Sequence, residues 1–236
     1  MGNKRWRTFR VAFRETDLWM AVDAEKYDKV IESFTTERIR YYRQILDEHI
    51  GKNPEFRDSL KPVKIPEGVH PVIYEMGKAA DDAGTGPMSA VAGAIAEYIC
   101  NDLIEEFGLK EAIIENGGDI FMKLVSPATI SVYAGSSPLS EKIILAINPE
   151  ETPLAVCTSS GTVGHSLSFG KADACMIACR SGALADAYAT AFCNEVKSKD
   201  LVLAITEKAL KKADILSVVI IMDDMGRWKF VTMASA

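Results

Sequence analysis

Three short segments carry residues that could do chemistry: Asn116-Gly117-Gly118-Asp119, Thr158-Ser159-Ser160-Gly161 and Ala185-Asp186-Ala187-Tyr188-Ala189-Thr190-Ala191. Each sets small residues beside one or two oxygen donors. Small residues let a ligand approach the backbone, and Asp and Thr oxygens are hard donors suited to Mg²⁺ or Ca²⁺. The combination predicts a site for a phosphorylated cofactor held through a metal. Asp186 and Thr190 stand four apart at the start of an expected helix, so their side chains share a face. A carboxylate and a hydroxyl there can take two positions on a hard cation, with water and phosphate oxygens filling the others. The same spacing suits a plainer arrangement in which Asp186 caps a helix start and Thr190 bonds back to a carbonyl.

The elements that must position these segments follow from periodicity and turn residues. Phe9, Val11 and Phe13 mark one face of a first strand, and Glu15-Thr16-Asp17 turns it into a second at Leu18 to Val22. Asp23 is an N-cap candidate for a helix carrying Tyr27, Val30, Ile31 and Phe34, then Ile39, Tyr42, Ile45 and Leu46; Thr35-Thr36 is a candidate break within it. Gly51 to Pro71 holds four prolines and reads as a surface connection. Helices are expected over Val72 to Ala83 and Pro87 to Phe107, the second closed by Gly108.

The start of that second helix is lined with Ser89, Ala90, Ala92, Gly93, Ala94 and Ala96. So few side chains imply either a very close packing contact or a helix N-terminus offering free amides to a phosphate. The Asn-Gly-Gly-Asp segment sits between two short strands as a hairpin turn. Further strands are expected at Ile130 to Ala134, Ile143 to Ile147, Leu154 to Cys157 and Ala174 to Ala178, and helices at Gly182 to Val196 and Leu201 to Lys212. A closing hairpin pairs Leu216 to Ile221 with Trp228 to Met233 across Asp223-Asp224-Met225-Gly226. Consecutive strands without strict strand–helix alternation favour an α+β fold with antiparallel sheets and packed helices.

Composition sets the outer bounds. The 236 residues are 48% apolar and 25% charged, which suits a single domain spanning residues 1–236. A net charge of −6 argues against nucleic acid or an anionic membrane as the main partner. No apolar run reaches membrane-spanning length, and the start of the chain is interrupted by charge where a secretory signal would be continuously apolar, so a cytoplasmic protein is expected. Five cysteines in apolar surroundings read as reduced, buried thiols, and Cys175 and Cys179 should share one face of a strand. Cys157 directly precedes the Thr-Ser-Ser-Gly segment, where a thiol could be activated by amides or a cation; it could equally be a strand-end core residue.

In this order the three segments resemble the ApbE superfamily of flavin transferases, whose members carry an Asn-x-Gly-Gly-Asp segment, a Thr-Ser-Gly segment and an Ala-Asp-Ala-x-x-Thr-Ala helix. The resemblance covers roughly residues 80 to 200 and is most specific in the last segment. The run Thr158-Ser159-Ser160-Gly161-Thr162-Val163-Gly164-His165-Ser166 is similar to that of a compact, poorly characterised ApbE-like branch.

The resemblance implies a T-fold-like α+β arrangement, FAD and Mg²⁺ as cofactors, and transfer of the FMN moiety to a Thr or Ser hydroxyl of an acceptor protein. It implies Asp186 and Thr190 as metal ligands. It implies a flavin pocket formed by Asn116, Gly117, Gly118 and Asp119 with Thr158, Ser159, Ser160 and Gly161. Transferases carry His-x-x-Asp-Pro-x-Thr-Gly before the metal helix; here Gly164 to Asp173 lacks the Asp-Pro-x-Thr-Gly part, and His165 is the histidine left as candidate base. Three functions are therefore expected to compete: Mg²⁺-dependent flavin transfer, an accessory protein of redox or sulfur assimilation that binds a flavin or other phosphorylated ligand without transfer, and sulfur transfer through Cys157. A homo-oligomer is compatible with the small-residue helix face.

Overall fold

The computed structural model describes residues 5–163 and 168–230. The alternation at the start of the chain becomes a hairpin of β1 (Trp6–Phe13) and β2 (Thr16–Asp23), with Phe13 opposite Thr16. Arg14 takes φ 54° in the two-residue turn, as such turns require. Helix α1 (Lys29–Lys52) is capped by Asp28, whose side chain accepts the Val30 N–H at 3.0 Å. The expected cap, Asp23, instead ends β2, and its carboxylate is taken by the Lys110 and Glu111 N–H groups at 2.6 and 3.3 Å. Thr35 and Thr36 do not break the helix, because their hydroxyls bond back to the Ile31 and Glu32 carbonyls within it.

The proline-rich connection holds one short helix, α2 (Glu55–Asp58). Helix α3 (Pro71–Ala83) is capped by His70 and closed by Gly84 at φ 75°. The helix expected from Pro87 divides into a 3-10 turn (Pro87–Ala90) and α4 (Val91–Phe107), closed by Gly108. Strands β3 (Ala112–Asn116) and β4 (Asp119–Lys123) follow as the predicted hairpin. Next come β5 (Ala128–Ser131), shifted toward the N-terminus of the expected strand, and β6 (Ile144–Ile147). The chain continues through β7 (Leu154–Ser159), β8 (Ala174–Cys179), α5 (Gly182–Glu195) and α6 (Leu201–Ala209), the last ending three residues before the expected Lys212.

The closing strands are β9 (Ser217–Met222) and β10 (Met225–Phe230). Met222 pairs with Met225, so the turn is the two residues Asp223-Asp224 rather than the expected four. Asp223 takes φ 53°, and its N–H is held by the Asp173 carboxylate at 2.6 Å, which places the turn there.

Eight strands form one antiparallel sheet in the order β1-β2-β3-β4-β7-β8-β9-β10, and β5-β6 form a second. The α+β expectation with antiparallel sheets holds. The strands have two apolar faces. Leu18, Ile114, Phe121 and Ile177 pack with helical residues such as Ile99 and Phe192. Met122, Val156, Met176 and Val219 pack with Val132, Leu145 and Ile147 from the β5–β6 side. All five cysteines are buried and unpaired, and Cys175 and Cys179 share the helix-facing core as expected. No helix among the described residues is long and apolar enough to cross a membrane.

Candidate functional site

The β3–β4 turn builds one wall of the site. Gly117 and Gly118 take φ 66° and 106°, conformations open to glycine, so that Asn116 and Asp119 pair directly across the turn. Asn116 Nδ2 donates to the Ala92 carbonyl at 3.1 Å and ties the turn to the start of α4. Glu115 Oε1 accepts the Gly118 N–H at 2.7 Å. Asp119 then faces Cys157 across β4–β7. Its carboxylate is buried, and among the described residues Oδ1 has no hydrogen-bond partner.

Helices α4 and α5 meet beside this wall. A Cβ on Gly93 would lie 2.2 Å from the Gly182 carbonyl oxygen, and one on Gly182 would lie 2.3 Å from that of Gly93. The small-residue run is thus explained by a backbone-to-backbone crossing. Each helix also answers the other's start: Asp186 Oδ2 on α5 accepts the Gly93 N–H at 2.9 Å, and Glu97 Oε2 on α4 accepts the Gly182 N–H at 2.6 Å. The Gly93 amide considered for phosphate is therefore occupied by a carboxylate. Asp186 does cap a helix start, but that of α4; Ser181 caps α5.

These contacts set the electrostatics. Burial pushes the Asp186 carboxyl up to about 7, against the pull of the Gly93 and Ala92 amides. Burial, then the charge of Asp186, holds Asp119 well above the ordinary carboxylate range. Two buried carboxyls that resist joint ionisation, one with an unanswered oxygen, fit a hard cation that neutralises both. No group of three or more His, Cys, Asp or Glu side chains converges among the described residues, so the rest of such a shell must come from hydroxyl and backbone oxygens or from a ligand.

A cavity of about 790 Å³ opens at this corner, and Asn116, Gly117, Gly118, Asp119, Thr158 and Ser160 all line it. Six of the eight residues predicted to bind cofactor are thus brought together. Ser159 points to the opposite, buried face of β7. Gly161 serves a close approach instead, since a Cβ there would lie 2.1 Å from the Gly170 carbonyl oxygen. Asp186 and Thr190 are not in the cavity wall; Asp186 acts on Asp119 there through its charge. His165 lies outside the described residues.

Cys157 is fully buried, donates toward the Gly182 carbonyl at 3.7 Å, and is pushed well up by burial and by Asp119 and Asp186. That is the reverse of an activated thiol and fits a core cysteine. Sequence reasoning missed Glu97 and Glu15. Glu97 carried no motif, although its position four residues after Gly93 put it on the small-residue face. Glu15 arrives at the cavity from the first hairpin.

The chain and its fold have known relatives. Residues 1–225 match the family model described as "AbpE bacteria". A UPF0280 protein of Methanocaldococcus jannaschii is 39% identical over 211 residues, covering 89% of this chain and 83% of that protein. One from Methanospirillum hungatei is 43% identical over 187 residues, covering 79% and 74%. Among solved structures, the fold is similar to the Pseudomonas stutzeri flavinyl transferase ApbE in its apo form, with TM-score 0.59 and 12% identity over 98% of this chain and 96% of that one. It is also similar to the flavin transferase ApbE of Vibrio cholerae, with TM-score 0.54 and 12% identity over 95% and 96%. The overall fold is ApbE-like, and the chain belongs to the AbpE bacteria family, with the UPF0280 proteins as its relatives.

Proposed function

We propose that the whole chain acts as one ApbE-like unit, a Mg²⁺-dependent flavin transferase that uses FAD and passes its FMN moiety to a protein hydroxyl. The observation that carries this reading is the buried, unpartnered Asp119 Oδ1 at the cavity edge, beside an Asp186 carboxyl held near neutrality by burial. Asp186 and Thr190 would hold the cation, with Asp119 completing the negative charge. A bound Mg²⁺ supplies charge neutralisation on the pyrophosphate.

The chain's own residues do the rest. Gly117 and Gly118 give the pyrophosphate room near the backbone. Asp119 and Asp186 are the buried carboxyls that would face a bound cation and answer its charge. The α4–α5 crossing fixes Asp186 through the Gly93 amide. The acceptor oxygen forms its bond to phosphorus as the pyrophosphate bridge breaks and AMP departs; His165 is the candidate to take the acceptor's proton.

The test is FAD binding and AMP release, each with and without Mg²⁺. AMP release should require Mg²⁺, and Asp186→Ala should lower it by about 100-fold or more, as loss of a metal's charge stabilisation implies. Turnover that survives Asp186→Ala contradicts the assignment. A second reading rests on the missing Asp-Pro-x-Thr-Gly stretch between Gly164 and Asp173. It holds that the pocket binds a flavin or another phosphorylated ligand without transfer, and it predicts Mg²⁺-dependent binding with no AMP.

A further inference from the structure

Asp173 stands just before β8 and takes no part in the chemistry proposed above. Its N–H donates to the Ile221 carbonyl at 2.8 Å, which seats it beside the closing hairpin, and its side chain is buried. Two neutral donors reach its carboxylate. Thr162 Oγ1 donates to Oδ1 at 2.7 Å, and the Asp223 N–H donates to Oδ2 at 2.6 Å. A carboxylate suits this place because it offers two acceptors and no donor on a short stem.

Each donor leads to one side of the large cavity. Thr162 belongs to a turn whose Ser160 and Val163 line that cavity. The Ser160 hydroxyl accepts the Thr162 and Val163 N–H groups at 3.1 and 2.9 Å, which closes the turn on itself. Val163 then rests against the segment after β5, where a Cβ on Gly135 would lie 2.6 Å from Val163 Cγ2. On the other arm, the Asp223 carbonyl accepts the Ser137 hydroxyl, and the Ser137 N–H returns to the Ala134 carbonyl at 3.0 Å. That arm ties down the chain directly after Val132 and Tyr133, which line the β5 side of the cavity. Thr162 is exposed, so its hydroxyl has water as an alternative partner. Its bond to Asp173 therefore adds little to the core and chiefly fixes the orientation of the turn.

We propose that Asp173 is a positioning residue of the ligand site. It holds the β7-side turn through Thr162 and the β5-side segment through Asp223 and Ser137, and so fixes the spacing of the two walls that clasp the ligand. The proposal rests on the reading of this cavity as the flavin site, and its test separates the two.

FAD is titrated with Mg²⁺ into the full chain and its variants, and amide hydrogen exchange is followed in the same proteins without ligand. Thr162→Val removes the hydroxyl and leaves the Asp173–Asp223 bond in place. It should weaken FAD about tenfold while the thermal midpoint moves by less than about 3 °C, a split that a purely structural role would not give. Thr162→Ser restores the hydroxyl and should bind FAD within about twofold of wild type. Asp173→Asn leaves one of the two donors without an acceptor and should weaken FAD at least as much as Thr162→Val. In ligand-free Thr162→Val the amides of Gly161 to Val163 should exchange about tenfold faster, with β8 and β9 unchanged. Wild-type FAD affinity in Thr162→Val overturns the proposal, as does failure of Thr162→Ser to restore it or unaltered exchange in the turn. If the wild-type chain does not bind FAD, the flavin reading falls, and the exchange result alone decides whether Asp173 fixes the cavity wall.

Discussion

Two neighbouring regions treat their polar groups in opposite ways. At the α4–α5 crossing the Gly93 N–H goes to Asp186 and the Gly182 N–H to Glu97, and the glycines leave no space for a single added carbon. At the adjoining corner Asp119 Oδ1 is buried with no partner among the described residues, and Asp119 lines the cavity of about 790 Å³. Buried polar atoms are almost always paired, so unpaired ones beside empty space mark where a ligand completes the structure. The difference separates a scaffold whose polar groups answer one another from the corner we propose as the ligand site. Asp186 belongs to both: one oxygen caps α4, while its charge raises Asp119.

This contrast can be broken at either side. The largest effect should come from Gly93→Val, whose Cβ meets backbone that cannot move aside; it should cost about 4 kcal/mol in thermal or urea unfolding. A loss under about 1 kcal/mol would mean that the crossing is loose.

Glu97 gives the next largest effect. Burial raises its carboxyl from 4.5 to about 7. A folded-state value above the unfolded one means that the native state holds the proton more tightly. The stability this contributes is fully present below about pH 4.5 and lost as pH rises through about 7. The difference is on the order of 3 kcal/mol. Glu97→Gln keeps an acceptor for the Gly182 N–H and should flatten the pH dependence of unfolding across that window; an unaltered slope would contradict it.

Asp119→Asn sharpens the comparison from the other side. Removing a carboxyl whose ionised form burial and Asp186 disfavour should stabilise the chain by about 1 to 2 kcal/mol at pH 8, while abolishing Mg²⁺-dependent ligand binding. A destabilised variant would place Asp119 with the scaffold instead. The smallest effect is that of Asn116→Ala, which frees the turn from the Ala92 carbonyl and should cost about 1 kcal/mol, with weaker ligand binding. Full retention of both would show that the turn is held by its glycines alone.

Much of this was legible in the residues, for a physical reason. Asn116-Gly117-Gly118-Asp119 specifies its turn locally, since two successive positive φ angles call for glycine. The small residues around Gly93 announced a close approach, and three-dimensional contact with Gly182 decided between packing and phosphate. What stayed hidden depended on partners distant in sequence. Asp23 read as the cap of α1, but the amides of Lys110 and Glu111 draw it away and Asp28 caps the helix instead. The turn at Asp223-Asp224 is set by Asp173, on another strand connection. Ser159 was grouped with Thr158 and Ser160 by motif, but strand alternation sends it to the other face.

The most direct test of the central claim is to locate Mn²⁺ by anomalous scattering in crystals of the protein grown with FAD. The account predicts a single ion held by Asp186 and Thr190, at the corner beside Asp119. Mn²⁺ bound elsewhere, or FAD bound with no ion at that corner, would contradict it.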